Sequence, residues 1–478
     1  MTIAIGIKKN AISNFLLNLF KLLLPMATFP YLTRVLSKEA IGNVFFIDSI
    51  IQYLLIFVSL GIPFYGIREI AKNKGNAEVQ SKIALELVLI QLGLSLFAIL
   101  FLLSLPLFIH QLRLNETLIK IGCISIISSS FLIEWYYQGI EKYVYITYRS
   151  IITKLLGVAA IFFLVKSPSD DKIYYLISNL IIVTNSMINF FYFIKNSPKV
   201  CLSMLRFKDH IKPLLVLFCI NVSISIYSIL DTIILGFLKN TQTVSLYYIP
   251  SKIVKIYWSL IISIGFVLIP KISQYFASKE HDKINSIASS LLNIILMLTA
   301  PFMLFCLIIP KEIIQFVAGD KYEMSSNVLR ILSSIPLIIS VCNLLSTQFL
   351  LPIGQEKKIL HATILGLLIS LTTNFILVLY FAHIGTAIAY LLTEIVVFVY
   401  IYLSSKTQIK MKVDNKLFLN ILLTSFTTVI LYLTAKSFTS GSILMAIVIA
   451  SYFIIFFILY LTYFRGKYLS DFLTFEKK

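Results

Sequence analysis

The sequence predicts an all-α polytopic membrane protein with about 14 transmembrane helices, in two six-helix lobes plus a C-terminal helix pair. Two features of the composition lead to this fold class. Of the 478 residues, 58% are hydrophobic and only 13% are charged, whereas soluble domains have about 45–50% apolar and about 25% charged residues. The apolar residues also form long unbroken runs, which excludes the short alternating segments of a membrane β-barrel.

Each predicted span is an apolar window of about 20 residues, the length that crosses a bilayer as a helix. The connections between spans are short, and the longest, near 195–212, has about 18 residues, so we expect no inserted soluble domain. We expect the first span to remain part of the protein instead of being removed as a signal peptide, because no small-residue cleavage site follows it. In chain order the spans cover 11–36, 43–66, 83–108, 118–137, 144–165, 173–194, 213–238, 247–270, 284–309, 326–352, 359–381, 386–404, 417–435 and 442–464.

The distribution of Lys and Arg predicts the orientation. With the N-terminus inside, the inner segments carry 25 Lys and Arg residues and the outer loops carry 8. Cytoplasmic loops of membrane proteins have this excess of positive charge. The net charge of +19 therefore reflects loop charge and anionic headgroups rather than a nucleic-acid partner. We expect an even number of spans and two cytoplasmic termini.

A weak internal repeat predicts the domain organisation. Residues 36–49 and 238–251 align at an offset of 202, which places the pair Phe45–Phe46 on Tyr247–Tyr248. Two repeats of equal topology are typical of transporters that rock around a central cavity. The sequence thus predicts an N-terminal lobe at 1–210, a C-terminal lobe at 211–404, and a terminal hairpin with a cytoplasmic tail at 405–478.

Charged residues inside the predicted spans are the candidate functional residues, because a charge at the bilayer centre costs about 2.5–3.5 kcal/mol. Two further charges, Lys120 and Glu134, lie near span ends and can reach the interface. Structural ion pairs remain an alternative for Asp231 with Lys252 and for Arg34 with Asp48, which stand at matching depths of neighbouring spans. The basic candidates are Lys21, Arg34, Arg149, Lys154, Lys252, Lys255 and Arg330, and the acidic ones are Asp48, Asp231 and Glu394.

Polar residues at helical spacing accompany several of these charges. One such stripe runs through Lys21 in the first span, one through Lys154 in the fifth, and one through Lys252 and Lys255 in the eighth. Positions three and four apart share one face of a helix. Stripes of this kind also hold helices together, but their coincidence with lysines favours a water-filled path. Lys21 and Lys154 stand about ten residues into their spans, near the midplane.

Enzyme and cofactor signatures are not found in the sequence. It contains no HExxH, no P-loop and no GxGxxG motif, and the five histidines are scattered. We therefore expect no enzymatic activity, no metal and no cofactor. Since no nucleotide-binding domain is present, the energy for any transport would come from a gradient of H⁺ or Na⁺, from the membrane potential or from the substrate gradient.

Residues 29–72 read FPYLTRVLSKEAIGNVFFIDSIIQYLLIFVSLGIPFYGIREIAK. This segment resembles the start of the polysaccharide repeat-unit flippases, the Wzx-type branch of the multidrug/oligosaccharidyl-lipid/polysaccharide exporter superfamily. A departure is the later position of the aromatic residue after Gly42. The matching residues are Pro30, Arg34, Leu36, Gly42, Gly61, Gly66, Arg68, Glu69, Ile70 and Ala71.

The resemblance implies alternating access between two six-helix lobes in the bacterial inner membrane. It implies transfer of undecaprenyl-diphosphate-linked oligosaccharide, such as an O-antigen or capsule unit, from the inner to the outer leaflet. A polysaccharide polymerase and a chain-length regulator are the implied partners, and coupling to an ion gradient occurs in some members. We expect the basic candidates to attract the diphosphate, and Glu394, Asp231 and Asp48 to be candidates for binding the coupling ion.

Two alternatives stay open at this point. The chain could be another member of the superfamily, either a lipid II flippase or a drug/cation antiporter, although an antiporter for cations should have an acidic interior. It could also be a membrane polysaccharide polymerase, an enzyme that usually has a large outer loop with arginines. The largest outer loop here, 310–325, contains no arginine. The sequence does not specify the glycan or the oligomeric state.

Overall fold

The structure is a computed structural model that describes residues 20, 24, 27–198, 205–266, 272, 274–276, 278 and 280–438. Within these residues every regular element is helical, as predicted. Eight helical segments in this part of the chain are long and apolar enough to cross a membrane. The predicted span 442–464 and most of the span 11–36 lie outside the described residues, so the count of fourteen stays a prediction. The eight segments are Lys38–Lys72, Ala77–Phe108, Glu116–Gly139, Tyr143–Leu164, Asp171–Asn196, His281–Ile308, Asp320–Leu350 and Glu356–Ser405.

Packing divides the chain into two compact units, Met1–Ser245 and Leu246–Lys478. After the helical residues 27–35, the first unit contains nine helices in its described part. The last of them packs against the first, so the first unit includes one helix beyond residue 210. The division into sequence halves at 210 and 211 stays a prediction. The nine helices are α1 (Lys38–Ser59), α2 (Ile62–Lys72), α3 (Ala77–Phe108), α4 (His110–Arg113), α5 (Glu116–Ser129), α6 (Glu134–Gly139), α7 (Tyr143–Leu164), α8 (Asp171–Asn196) and α9 (Lys208–Leu238).

Two of the predicted spans in the first unit are interrupted. The span predicted at 43–66 consists of α1 and α2, which meet at Leu60 and Gly61, both with positive φ. Only glycine adopts this conformation without a steric penalty. The span predicted at 118–137 is likewise divided between α5 and α6, with Ile133 at φ 31°. Each break changes the direction of the short helix that follows it. These short helices, α2 and α6, contain Tyr65 and Glu134.

The second unit begins within α10 (Thr241–Phe266) and continues through helices that correspond to the predicted spans. A 3₁₀ segment, Asp320–Ser325, precedes the region predicted as one span at 326–352, and a π-helical segment, Leu344–Leu350, lies within that region. Such π-helical turns are rare and often occur near functional sites. The remaining helices are α11 (His281–Ile308), α12 (Pro310–Ala318), α13 (Ser326–Leu332), α14 (Ile335–Asn343), α15 (Glu356–Ser405) and α16 (Asn415–Phe438).

A tight reversal separates the predicted spans 359–381 and 386–404, which together form α15. The helix is broken at Ala382, whose φ and ψ are 48° and −125°. Beyond the reversal, the returning arm passes the backbone of the first arm so closely that a Cβ atom at Gly385 would collide with the Leu377 carbonyl oxygen. Glycine at this position therefore permits the hairpin that returns Tyr390 and Glu394 to the interior.

Candidate functional site

The second unit brings together a cation, an aromatic ring and a carboxylate inside its helices. Lys255 of α10 places Nζ 5.9 Å from the ring centroid of Tyr390 on α15. Glu394 follows Tyr390 by one helical turn, so both side chains share one face of α15. Both are 3% exposed, although glutamate is almost never fully buried without a partner. The arrangement can therefore attract an anion through Lys255 or bind a small cation through Glu394.

The two other basic candidates of this region are Lys252 and Arg330. Lys252, one turn before Lys255, is half-buried and has Nζ 5.8 Å from the ring centroid of Tyr248. Arg330 on α13 is exposed, and its Nη1 donates a 3.4 Å hydrogen bond to Asn327 Oδ1. Their roles in binding a substrate stay predictions.

In the first unit, Arg149 is engaged by neighbouring groups. Its Nη2 lies 2.6 Å from Glu134 Oε1, and its Nη1 donates a 3.1 Å hydrogen bond to the Asn185 carbonyl. The Asn185 side chain accepts a 2.9 Å hydrogen bond from Thr153, one turn beyond Arg149 on α7. Glu134 stands at the first position of α6, and its side chain is 21% exposed. The charge of Arg149 is thus balanced within the unit, and its predicted role toward a substrate is untested.

The remaining candidates are spread over several helices of the first unit. Asp231 on α9 is 1% exposed, and Lys154 on α7 and Asp48 on α1 are half-buried. Arg34 is exposed, and its Nη1 donates a 2.9 Å hydrogen bond to the Pro30 carbonyl. Lys21 lies outside the described residues. None of these positions tests the predicted roles, which stay predictions.

A buried polar network that the sequence reasoning missed lies in the first unit. His210 Nε2 is 2.8 Å from Glu86 Oε2, and His210 Nδ1 is 2.8 Å from the Tyr65 hydroxyl. The backbone N–H of Arg206 donates a 2.5 Å hydrogen bond to Glu86 Oε1. A signal was available, because the topology places Glu86 near the inner end of its span and His210 in the inner loop at 195–212. The described residues contain no cluster of His, Cys, Asp and Glu that could hold a metal ion.

Comparisons with known proteins find two matching family models and named relatives of this chain. A family model described as polysaccharide biosynthesis protein matches residues 7–276, and one described as MatE matches 217–376. A Shigella dysenteriae protein named as an O-antigen transporter is 26% identical over 82% of this chain and 98% of its own length. A protein of Escherichia coli strain K12 with the same name is 26% identical over 78% of this chain and 91% of its own length.

A solved structure also has a similar fold. The lipid II flippase MurJ in an inward closed conformation matches 95% of this chain and 98% of its own length, with a TM-score of 0.74 and 19% identity. At this identity the likeness concerns the fold alone. The apolar helices and the transporter relatives together make the chain a multi-pass membrane protein.

Proposed function

The chain belongs to the polysaccharide biosynthesis protein family, whose model matches more than half of its residues, and from this premise we propose that it is a flippase for lipid-linked glycans. The substrate is an oligosaccharide repeat unit on undecaprenyl diphosphate. The protein moves it from the cytoplasmic to the outer leaflet of the bacterial inner membrane, with both of its own termini in the cytoplasm. The exported units serve a polysaccharide polymerase and a chain-length regulator.

One observation carries this proposal. The relatives named as O-antigen transporters align with this chain over nearly their whole length, and they are transporters rather than enzymes. A match of this extent includes residues of both packing units, so the similarity is not limited to one of them.

The charges inside the helices support an anionic substrate. Lys255 lies against a buried tyrosine ring in the second unit, where the low local dielectric strengthens its attraction for an anion. Lys154 supplies a half-buried cation in the first unit, and Lys21 is the corresponding candidate on the first span. In the proposed cycle these lysines attract the diphosphate while alternating access moves the glycan across.

Acidic residues inside the predicted spans offer a means of ion coupling. Glu394 and Asp231 are almost fully buried, and Asp48 is half-buried in the first unit. A carboxylate that faces each side of the membrane in turn can bind H⁺ or Na⁺ on one side and release it on the other. In the proposal Glu394 is the leading candidate, because Asp231 has Lys252 as a predicted structural partner.

Reconstitution into liposomes tests the function directly. We expect the purified protein to expose undecaprenyl-diphosphate-linked repeat units, loaded on one leaflet, to a membrane-impermeant glycan-modifying enzyme on the other side. Lysine-to-alanine substitution at position 255 should slow this transfer at least tenfold, while Lys255→Arg retains part of it because the cation remains. Lys357→Ala, which removes an exposed lysine at the start of α15, is the matched control.

Three outcomes would contradict the proposal in whole or in part. Transfer of lipid II in preference to the repeat unit would assign the protein to another branch of the superfamily. Liposomes that transfer neither lipid would contradict the flippase function altogether. Equal rates in Lys255→Ala and the wild type would remove the anion site from the mechanism while leaving the function in place.

A further inference from the structure

The chain between α15 and α16 is fastened to α11 by its backbone. We call this segment, residues 406–414, the strap; it belongs to neither helix. Three of its N–H groups donate hydrogen bonds to polar side chains of α11. The three bonds are Lys410 N–H to Asn285 Oδ1 at 2.8 Å, Lys412 N–H to Ser289 Oγ at 3.0 Å and Asp414 N–H to Asn293 Oδ1 at 3.1 Å.

The spacing of these bonds shows the course of the strap. The three side chains of α11 are four residues apart, so they share one face of the helix and follow each other at about 6.0 Å. An extended chain advances about 6.6 Å over two residues, so alternate N–H groups of the strap meet these side chains in register. The amide of Asn293 also donates a 3.3 Å hydrogen bond to the Lys412 carbonyl. The strap therefore runs along α11 as an extended chain.

The two faces of the strap differ in character, because alternate side chains of an extended chain point in opposite directions. Ile409 is buried in the apolar core of the second unit, and Met411 packs against the same core. Lys410 and Lys412 alternate with them and are exposed, as is Lys406 in the turn before. These three are the strap lysines, and the core contacts and the bonds to α11 fix the backbone that carries them.

The strap lysines differ from the lysines of another loop that is predicted on the inner side. There, Lys72 Nζ is 3.0 Å from Glu69 Oε1, and Lys74 Nζ is 3.0 Å from Glu141 Oε1. Within the part of the chain that the structure describes, no carboxylate oxygen lies within 4 Å of a strap lysine's ammonium group. The strap thus presents positive charge that no described side chain balances at close range.

Exposed apolar side chains border the strap on both sides. Leu403 in the last turn of α15, and Phe418 and Leu419 near the start of α16, are each more than half exposed. Tyr402 is also exposed, and tyrosine is enriched where membrane helices meet the interface. The strap joins two predicted spans, so these side chains continue its surface toward the acyl chains of the membrane.

We propose that the strap is a binding site for the head group of an anionic phospholipid in the leaflet on its side of the membrane, which the charge count predicts to be the cytoplasmic one. The strap lysines bind the phosphate, as basic clusters at a membrane surface attract anionic lipids. The apolar side chains beside the strap contact the acyl chains, which favours a lipid over a soluble anion. Because α11 fixes the strap in advance, less conformational freedom is lost when the lipid binds.

Fluorescence quenching in nanodiscs tests the site without any transport assay. A bimane fluorophore is attached at Thr407→Cys, an exposed position of the strap, in the full chain with its five native cysteines replaced. The nanodiscs contain phosphatidylcholine and a small fraction of one lipid that carries a nitroxide near its head group. We expect labelled phosphatidylglycerol to quench at least twice as strongly as the same fraction of labelled phosphatidylcholine.

Substitution of paired and unpaired lysines locates the effect. Lys410→Gln together with Lys412→Gln should remove the excess quenching by the anionic lipid. The matched control is Lys72→Gln together with Lys74→Gln, which removes the same charge from exposed lysines that have carboxylate partners, and here the excess should persist. Equal quenching by the two lipids in the wild-type strap, an excess that survives without Lys410 and Lys412, or an equal loss in the control would overturn the proposal.

Two measurements need no substitution of the strap lysines, and they decide the matter even where the double variant fails to fold. A rise in salt concentration should reduce the excess quenching, because salt screens exposed charges, and an excess that does not depend on salt would contradict the site. Unlabelled undecaprenyl phosphate should relieve the quenching no more than an equal amount of unlabelled phosphatidylglycerol. Stronger relief would assign the strap to the lipid carrier and show that the proposal is wrong. None of these results depends on glycan transfer, so the site and the proposed function are judged separately.

Discussion

The Arg149–Glu134 pair shows how a charge is accommodated at the residue scale. The Arg149 side chain is 5% exposed and that of Glu134 is 21% exposed, and their 2.6 Å contact joins α7 to the start of α6. Removing one partner of a buried pair leaves the other charge without compensation, which is more harmful than replacing both. An exposed pair such as Glu116 with Lys120, at 2.7 Å, contributes little because water screens it.

These two pairs permit a matched test by substitution. We expect Glu134→Ala to lower the free energy of unfolding by about 3 kcal/mol, because it leaves the buried Arg149 guanidinium without its carboxylate partner. Glu116→Ala should leave stability unchanged. The measurement is the thermal unfolding midpoint of each purified protein in the same detergent. Replacement of both Glu134 and Arg149 by leucine and methionine should recover much of the loss, and equal midpoints for Glu134→Ala and Glu116→Ala would contradict this account.

At the scale of elements, close contact between helices depends on a few glycines. A Cβ atom at Gly66 of α2 would collide with the indole ring of Trp135 on α6. The contact lets the short helices α2 and α6, each following a break in a span, pack side by side. Gly93 on α3 offers the contrast, since nothing lies within 4 Å of the position of a Cβ atom there.

Alanine at these two positions should therefore have opposite effects. Gly66→Ala forces the indole or the backbone to shift, at a cost of about 1–3 kcal/mol for an overpacked site. Gly93→Ala should be neutral or stabilise the protein by about 0.5–1 kcal/mol, since alanine is the better helix former. Thermal unfolding of both variants measures the difference. A stable Gly66→Ala variant would show that α2 and α6 can separate without loss.

At the scale of the whole molecule, the charge asymmetry between loops predicts the orientation in the membrane. The inner segments carry 25 Lys and Arg residues against 8 in the outer loops, and one missed span would exchange the two sides for every later loop. Labelling from one side of the membrane therefore tests the orientation and the number of spans together.

Single cysteines at exposed positions provide this test. In a chain whose native cysteines are replaced, we expect a membrane-impermeant thiol reagent added outside intact spheroplasts to label Met324→Cys. Lys208→Cys and Lys410→Cys should react only after the membrane is opened, because the charge count predicts that they lie on the inner side. All three positions are exposed in the folded protein. Labelling of Lys208→Cys from outside would show that both the orientation and the span count are wrong.

The sequence by itself determined the helical membrane fold and the family, and it placed most of the described spans within a few residues. This was possible because the transfer of an apolar stretch into lipid depends on about 20 consecutive residues and little else. The motif at 29–72 is equally local, so it could be recognised without a structure. The orientation is a prediction of the same kind, since it depends on counts of charge in short loops.

Only the tertiary structure decided which buried groups meet. Glu86 and His210 are 124 positions apart, Lys255 and Tyr390 come from different helices, and Glu134 of α6 pairs with Arg149 of α7. Hydropathy and helical periodicity describe one helix at a time, whereas the partner of a buried charge depends on how distant helices pack and on the direction of each side chain. The sequence could therefore name the charged residues, but their pairing emerged from packing alone.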